Sequence, residues 1–240
     1  MSPIPEFLSN AVQKIFFRCA IVTDVEALTG HFRLVTVAGP ALIGETWIPG
    51  QKVQFHLGNL VTRTYTPTAW NPDKGIAQFL MFLHGNGPGS DWAASLQKGD
   101  PCQFIGPRSS LNFADIKGPS LFFGDETSIG AAQALASSNT GNRQAHYVFE
   151  VSSSIESEEV LRRAGLTNTK LVQRTADETH LHEVDKLLAS TATSLGLPQW
   201  ILTGRAQSIQ TLRKLLRARR MLFSKLNVKA YWANGKTGLD

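Results

Sequence analysis

The sequence RTYTPTAWNPDKGIAQFLMFLHGNGPGSDWA occupies residues 63–93 and is the most informative stretch for both the fold and the ligand. It begins with a cation and an aromatic ring among hydroxyls, in Arg63-Thr64-Tyr65-Thr66. It ends with a glycine-rich turn that leads into a short helix, predicted for residues 91–96. Glycines let the backbone approach a ligand closely, and the first N–H groups of a helix attract an anion. A flat ligand that carries phosphates suits both halves, and we expect FAD.

The first half of this stretch offers three groups to a flavin. Arg63 can place its planar guanidinium on a pyrophosphate, Tyr65 its ring against the flavin, and Thr66 its hydroxyl near the flavin N5. The competing interpretation is an ordinary strand with a surface arginine and a half-buried tyrosine. These four residues alone leave that second interpretation open.

The second half is equally ambiguous when it is taken alone. Ser90 is predicted to cap the helix, and Asp91 should turn its carboxylate away from a bound phosphate. Trp92 can line the cofactor or pack under a barrel, and His84 can bind the cofactor or play a structural part at the end of a strand. A glycine-rich loop by itself is weak evidence for a binding site.

The flanking sequence predicts an N-terminal domain made of short strands. Apolar and β-branched runs with turn signals between them predict an antiparallel β-barrel, because only one short helix interrupts them. The candidate strands cover residues 15–23, 31–37, 52–57, 76–83 and 101–105.

From about residue 117 the pattern changes to strict alternation of strands and helices. Such alternation predicts a parallel sheet with helices on both faces, so we divide the chain into domains at residues 1–116 and 117–240. The predicted strands are residues 120–124, 145–152, 170–174, 200–203 and 228–232, and the predicted helices are residues 128–137, 157–164, 181–194 and 206–219.

Gly124-Asp125-Glu126-Thr127 follows the first of these parallel strands directly. Ligands bind at the carboxyl ends of such strands, so the acidic pair can accept hydrogen bonds from a nicotinamide amide or a ribose. The pair can also hold the two domains together. A third interpretation, that both acids only stabilise the start of the next helix, is equally compatible with the sequence.

Charge and cysteine content limit the possible partners and cofactors. The net charge is +5, and ten cations but no acid lie between Asp185 and Asp240. This positive segment would attract phosphates, anionic chelates, nucleic acid or an acidic protein, although its helix at residues 206–219 also fits a plain solvated face. Cys19 and Cys102 are expected to be buried free thiols, and no cluster of metal ligands is apparent.

Several motifs taken together, in their order, resemble the siderophore-interacting proteins, which are FAD-binding ferric-siderophore reductases of the ferredoxin–NADP reductase superfamily. The motifs are RTYT, LHGNGPGSDWA, IGPRSS, FFGDETSIGAAQAL and YWANG, and the resemblance covers residues from about 15 to 235. The resemblance implies a Greek-key barrel that carries FAD, followed by an α/β domain related to NADP-binding modules.

The resemblance also implies roles for individual residues. Thr66 would be the catalytic residue beside the flavin, and NAD(P)H would bind at Gly124 to Thr127 and at Gly204-Arg205. Tyr231, Trp232 and Lys52 would face the flavin or the substrate. The FAD site would consist of Arg63, Thr64, Tyr65, Thr66, His84, Gly85, Gly87, Pro88, Ser90, Trp92 and Ala93.

Two positions depart from the pattern of the family. Many members have Gly-Glu where this chain has Gly204-Arg205, and many have an arginine where Ala233 follows Trp232. Both changes concern the expected approach of nicotinamide and of the ferric chelate.

The function expected from these features is FAD-dependent reduction of ferric siderophores, with electrons from NAD(P)H or a reduced ferredoxin. The alternatives are a general NAD(P)H-dependent flavin or ferredoxin-type reductase, and a flavin-binding or siderophore-binding protein without turnover. We expect a cytoplasmic monomer. No nucleic-acid partner is expected, because the basic segment lacks a pattern for reading bases. No membrane span is expected either, because no apolar run approaches roughly 18 residues.

Overall fold

Seven antiparallel strands form the N-terminal sheet of the computed structural model, which describes residues 17–58, 61–85, 87–138 and 144–236. The spatial order of the strands is β4-β3-β7-β1-β2-β6-β5. The single residue Thr66 joins the two edge strands β4 and β5, so the sheet has to curl until its edges approach each other. The strands are β1 (Arg18–Ala27), β2 (Phe32–Ala38), β3 (Lys52–Gly58), β4 (Val61–Tyr65), β5 (Pro67–Asn71), β6 (Ile76–Phe82) and β7 (Pro101–Arg108).

An aromatic core fills the curled sheet. Alternate residues of β6 are buried, as expected for a strand with one face on a core. The ring of Phe55 lies at its centre, 4.9 Å from the ring of Phe79 and 5.3 Å from that of Trp92. Helix α1 (Pro88–Ser95) packs on this core through the buried Ala93.

A second sheet has five parallel strands in the order β10-β9-β8-β11-β12. Strand β8 is buried along its whole length, and its side chains alternate between two apolar clusters. Phe122 packs in one cluster, whereas Leu121 and Phe123 pack in the other, so helices cover both faces. The strands are β8 (Ser120–Gly124), β9 (Ala145–Val151), β10 (Thr169–Gln173), β11 (Gln199–Arg205) and β12 (Lys225–Trp232), and the helices are α2 (Ile129–Ser138), α3 (Ser154–Arg163), α4 (His180–Leu195) and α5 (Ala206–Ala218).

The predicted fold class is confirmed, with an antiparallel sheet followed by a parallel α/β unit. Some predicted boundaries are wrong. Helix α3 starts three residues early because Ser153 caps it, and β1 runs to Ala27 rather than to residue 23. Cys19 is exposed rather than buried. The domain boundary near residue 116 stays a prediction, and residues 15–16 of the first predicted strand lie outside the described part of the chain.

Helix α2 and helix α3 connect the two sheets. A Cβ added at Gly130 of α2 would lie 3.3 Å from the carbonyl oxygen of Thr66, so a larger residue would crowd this close approach. Two contacts of 2.7 Å tie α3 to the first sheet, an ion pair of Arg163 with Glu26 and a hydrogen bond between His31 and Glu156. Thr66 therefore lies where the two sheets meet. No helix among the described residues is long and apolar enough to cross a bilayer.

Candidate functional site

Arg63 lies against the first turn of α1. A Cβ added at Gly89 would come within 2.9 Å of the Arg63 Cγ and 3.1 Å of its Nε. The Arg63 guanidinium donates to the carbonyl oxygen of Thr62 at 2.8 Å, and it forms no ion pair with any residue that the structure describes. A cation with spare donors is thus held beside the start of an eight-residue helix.

The start of α1 differs from the predicted start. The helix begins at Pro88 with Gly87 as its N-cap, and Gly87 has a positive φ of 106° that favours glycine. The prediction that Ser90 caps the helix is wrong, because Ser90 lies inside the first turn. Its hydroxyl accepts a hydrogen bond from the Gly85 N–H at 3.1 Å, so it fixes the preceding turn instead.

Much of the turn that leads into α1 is exposed to solvent. His84, Gly85, Pro88 and Asp91 are exposed. An α-helix leaves its first N–H groups without internal partners, and because Pro88 has no N–H, those of Gly89 and Ser90 are the candidates for a ligand. Arg63, Gly89 and these N–H groups together suit the pyrophosphate of a dinucleotide cofactor.

Tyr65 and Trp92 pack mainly on the core of the N-terminal sheet. The Tyr65 ring meets Phe55 edge-on at 6.0 Å and lies 6.4 Å from the Trp92 ring. Burial raises the pKa of the Tyr65 hydroxyl to about 12, while the charge of Arg63 lowers it in part. Both rings remain partly exposed, so each has a surface left for a ligand.

Tyr231 reaches from the second sheet to Thr66. In the β11–β12 ladder, Gly204 pairs with Ala230 and Arg205 pairs with Trp232, so Tyr231 is the extra residue of a β-bulge. A bulge redirects a side chain out of the regular alternation. Burial raises the pKa of the Tyr231 hydroxyl, and the nearby Thr66 side chain offsets part of that rise. The hydroxyl has no hydrogen bond of normal geometry to a described residue.

Asp125 lies fully buried at the carboxyl end of β8. Its carboxylate accepts hydrogen bonds from the Thr127 N–H at 2.9 Å and from the Trp232 Nε1–H at 2.7 Å. Burial dominates over these donors and raises its pKa to about 6. Gly204 has a φ of 94°, and a Cβ there would lie 2.5 Å from the carboxylate, so the ladder can approach Asp125 only with glycine.

Gly124 and Glu126 are likewise engaged inside the second unit. A Cβ at Gly124 would lie 2.4 Å from the Cβ of Ser128. Glu126 forms a buried ion pair of 2.9 Å with Arg174 and accepts a hydrogen bond from the Ser152 N–H. The acidic side chains therefore shape the carboxyl edge of the sheet, and Thr127 is their exposed neighbour.

Arg205 is buried in an ionic network at the same edge. Its Nη1 donates to Glu178 at 2.7 Å and its Nε donates to Ser208 at 2.8 Å, with a Glu150 oxygen 3.6 Å away. The Nη2 atom has no partner among the described residues. The buried arginine is thus accompanied by two carboxylates, those of Glu178 and Glu150.

His180 completes this network from the start of α4. Its Nδ1 accepts a hydrogen bond from the Thr175 N–H at 3.2 Å, so in the neutral ring Nε2 carries the proton. That proton is donated to the fully buried Glu150 at 2.9 Å. Glu150 and His180 were not predicted, because the only local signal for them is a carboxylate near the end of an apolar strand.

Lys52, a predicted substrate contact, is only 8 % exposed within β3 and pairs with Arg108 in the ladder to β7. No cluster of three or more metal-ligating side chains occurs in the part of the chain that the structure describes.

Each of the two halves of the chain matches a known family model. The model described as "Siderophore-interacting FAD-binding domain" matches residues 45–111, and the one described as "Siderophore-interacting protein" matches residues 119–235. The chain belongs to the siderophore-interacting protein family. It therefore carries the FAD-binding domain of that family, and the turn at α1 falls inside the matched segment.

Solved structures share the whole fold. A siderophore utilization protein from T. fusca is 19% identical with a TM-score of 0.71, over 93% of this chain and 95% of that one. The siderophore-interacting protein SipS from Aeromonas hydrophila is 20% identical with a TM-score of 0.71, over 92% and 93%. A mutant ferredoxin–NADP⁺ reductase from Plasmodium falciparum is 12% identical with a TM-score of 0.68, over 89% and 95%. The fold is thus of the ferredoxin–NADP reductase type.

Proposed function

We propose that this chain reduces ferric iron held in a siderophore by means of bound FAD, with NAD(P)H or a reduced ferredoxin as the electron donor. The observation that carries the proposal is the FAD-binding domain of a siderophore-interacting family, with a cation, Arg63, that forms no ion pair among the described residues and lies beside a helix start. A flavin takes two electrons from a donor and can pass them on one at a time. Reduced iron then leaves, because such chelators bind ferrous iron far less tightly.

The side chains of this chain have positioning roles in the proposal. Arg63 and the first N–H groups of α1 hold the phosphates of FAD. Tyr65 and Trp92 contribute ring surface, while His84, Gly85, Gly87 and Pro88 form the adjoining wall and Ala93 anchors the helix. Thr64 belongs to the same strand, and the Thr66 hydroxyl lies at the junction of the two sheets, where the reactive edge of the flavin belongs.

The carboxyl edge of the second sheet is the proposed place for the nicotinamide donor. Because Asp125, Glu126 and Arg205 each bond to other groups of the second unit, their proposed role is to fix the backbone of this edge rather than to bind the ligand directly. Tyr231 faces the flavin in this proposal, and the Asp125–Trp232 hydrogen bond holds its strand. The basic surface of the chain favours an anionic chelate. We further propose that the chain acts as a cytoplasmic monomer.

An anaerobic titration tests the proposal. Purified chain is loaded with FAD and mixed with NADH, NADPH or reduced ferredoxin, and bleaching of the flavin absorbance reports reduction. A ferric siderophore is then added together with a ferrous-specific chromogenic chelator. We expect the flavin colour to return and the ferrous complex to form in step.

Each alternative function gives its own result in this titration. Bleaching by a donor without reoxidation by any ferric chelate would indicate a general flavin or ferredoxin-type reductase. Absence of bleaching by every donor would indicate a binding protein without turnover. Failure to retain FAD at all would contradict every flavoprotein interpretation.

A further inference from the structure

Three apolar side chains protrude at the end of the second sheet that lies opposite the proposed site. Leu222 is 74%, Leu197 54% and Phe223 45% exposed. Their two loops are neighbours, because the Ser224 N–H donates to the Pro198 carbonyl oxygen at 3.3 Å. We call these three residues, together with the cations described next, the basal patch.

Cations surround the three apolar side chains. Arg217 and Arg220 come from the end of α5 and the turn after it, and Lys225 begins β12; all three are exposed. None of the three forms an ion pair with a residue that the structure describes. Arg219 is different, because its guanidinium is bound to Asp185 at 2.7 Å. The segment between Asp185 and Asp240 contains no acid, so nothing within it offsets the charge of the patch.

The basal patch lies far from the proposed site. Its loops precede β11 and β12, whereas Gly204, Arg205 and Trp232 lie at the carboxyl ends of these two parallel strands. Seven residues of β11 at about 3.3 Å each separate the two edges by roughly 20 Å. A partner bound to the basal patch would therefore leave the site edge open to water, and the inference does not depend on the flavin chemistry.

We propose that the basal patch docks the protein onto an anionic lipid surface. Apolar side chains at loop tips, ringed by unpaired cations, suit the boundary between headgroups and acyl chains, where anionic lipids attract Lys and Arg. A protein partner fits less well. Three side chains offer a few hundred Å² at most, whereas a stable protein interface takes roughly 800 Å² from each partner.

Vesicle sedimentation with the FAD-loaded full chain tests the proposal. Vesicles of equal parts phosphatidylglycerol and phosphatidylcholine should bind the protein, and pure phosphatidylcholine vesicles should bind it at least tenfold more weakly. The double variant Arg217→Gln, Arg220→Gln should lose about 25-fold in partitioning, at about fivefold for each cation. The double variant Leu222→Ser, Phe223→Ser should lose at least tenfold, since two large apolar side chains no longer enter the lipid. Added salt should weaken the binding.

Matched variants elsewhere separate docking from general charge and hydrophobicity. Ile155, 85% exposed at the start of α3, lies at the opposite edge of the same sheet, so Ile155→Ser should bind as the parent does. Lys74 and Lys98 lie in turns of the N-terminal sheet, and the double change to Gln should also leave partitioning unchanged.

Circular dichroism and FAD content should be the same in all variants. The proposal is overturned if the parent protein fails to sediment with anionic vesicles at low salt, even if the basal patch is found to bind an acidic protein. It is equally overturned if the control variants lose as much binding as the basal ones.

Discussion

Replacement of Asp125 by Asn should remove a pH dependence from the stability of the fold. The carboxyl is completely buried, and burial is the largest influence on its pKa, which rises from 3.8 to about 6. Hydrogen bonds from Thr127 and Trp232 favour the charged form but do not outweigh burial. Between about pH 4 and pH 6 the folded chain therefore holds a proton that the unfolded chain has released.

The sign of the effect follows from this difference in proton binding. Stability falls with rising pH wherever the folded state binds more protons than the unfolded state. The stabilisation by the proton is complete below about pH 4 and is lost as the pH rises through about 6. A rise of about two pKa units corresponds to about 3 kcal/mol, which is a large part of the 5–15 kcal/mol typical of a domain.

Urea denaturation at a series of pH values between 4 and 7.5, at saturating FAD, measures the effect. Other groups titrate in both proteins, so the informative quantity is the difference in unfolding free energy between the parent and Asp125→Asn. We expect that difference to shift by about 3 kcal/mol in favour of the variant as the pH rises. Trp232→Phe removes a donor to the carboxylate and should move the loss of stability to higher pH. A difference that stays constant across the pH range would refute the reasoning.

Three further variants test the site. Arg63→Ala should weaken FAD retention by about 10–100-fold, the value of a charged hydrogen bond, and unchanged flavin content after gel filtration would count against its role. Gly89→Ala should also lower FAD affinity, because its Cβ would displace the Arg63 side chain, whereas Gly118→Ala, where a Cβ meets nothing within 4 Å, should not. Arg205→Gln should cost about 3–5 kcal/mol in urea denaturation, since two carboxylates lose their buried partner, against at most about 1 kcal/mol for the exposed Arg162→Gln. Equal losses of stability for Arg205→Gln and Arg162→Gln would contradict the role of the buried network.

The fold was predictable because its signals are local. Alternation in β6 and the apolar run of β8 can be read from a few consecutive residues. The start of helix α3 has a weak apolar signal but a clear capping signal. No apolar residue marks its first turn except Ile155, yet Ser153 followed by Glu156 is a capping box that could have placed its start.

The site was predictable only in part, because its contacts join distant positions. Arg63 and the turn before α1 share a motif, so the sequence indicated them together. The ion pair of Glu126 with Arg174 spans 48 positions, and the hydrogen bond of Glu150 with His180 spans 30. Only the strand order of the second sheet brings such residues to one edge. The sequence alone therefore could not decide whether Asp125 and Arg205 bind the nicotinamide donor or support the edge of the sheet.

The β-bulge at Tyr231 accounts for the way in which the two halves share one site. In a regular strand Ala230 and Trp232 would face the same side, two positions apart. Here they pair with the consecutive residues Gly204 and Arg205, so Tyr231 is released from the ladder and reaches toward Thr66. The same shift lets Trp232 donate to Asp125. Thr66 joins the two edge strands of the first sheet. The extra residue in β12 therefore brings Tyr231, from the carboxyl edge of the second sheet, next to the residue that closes the first sheet.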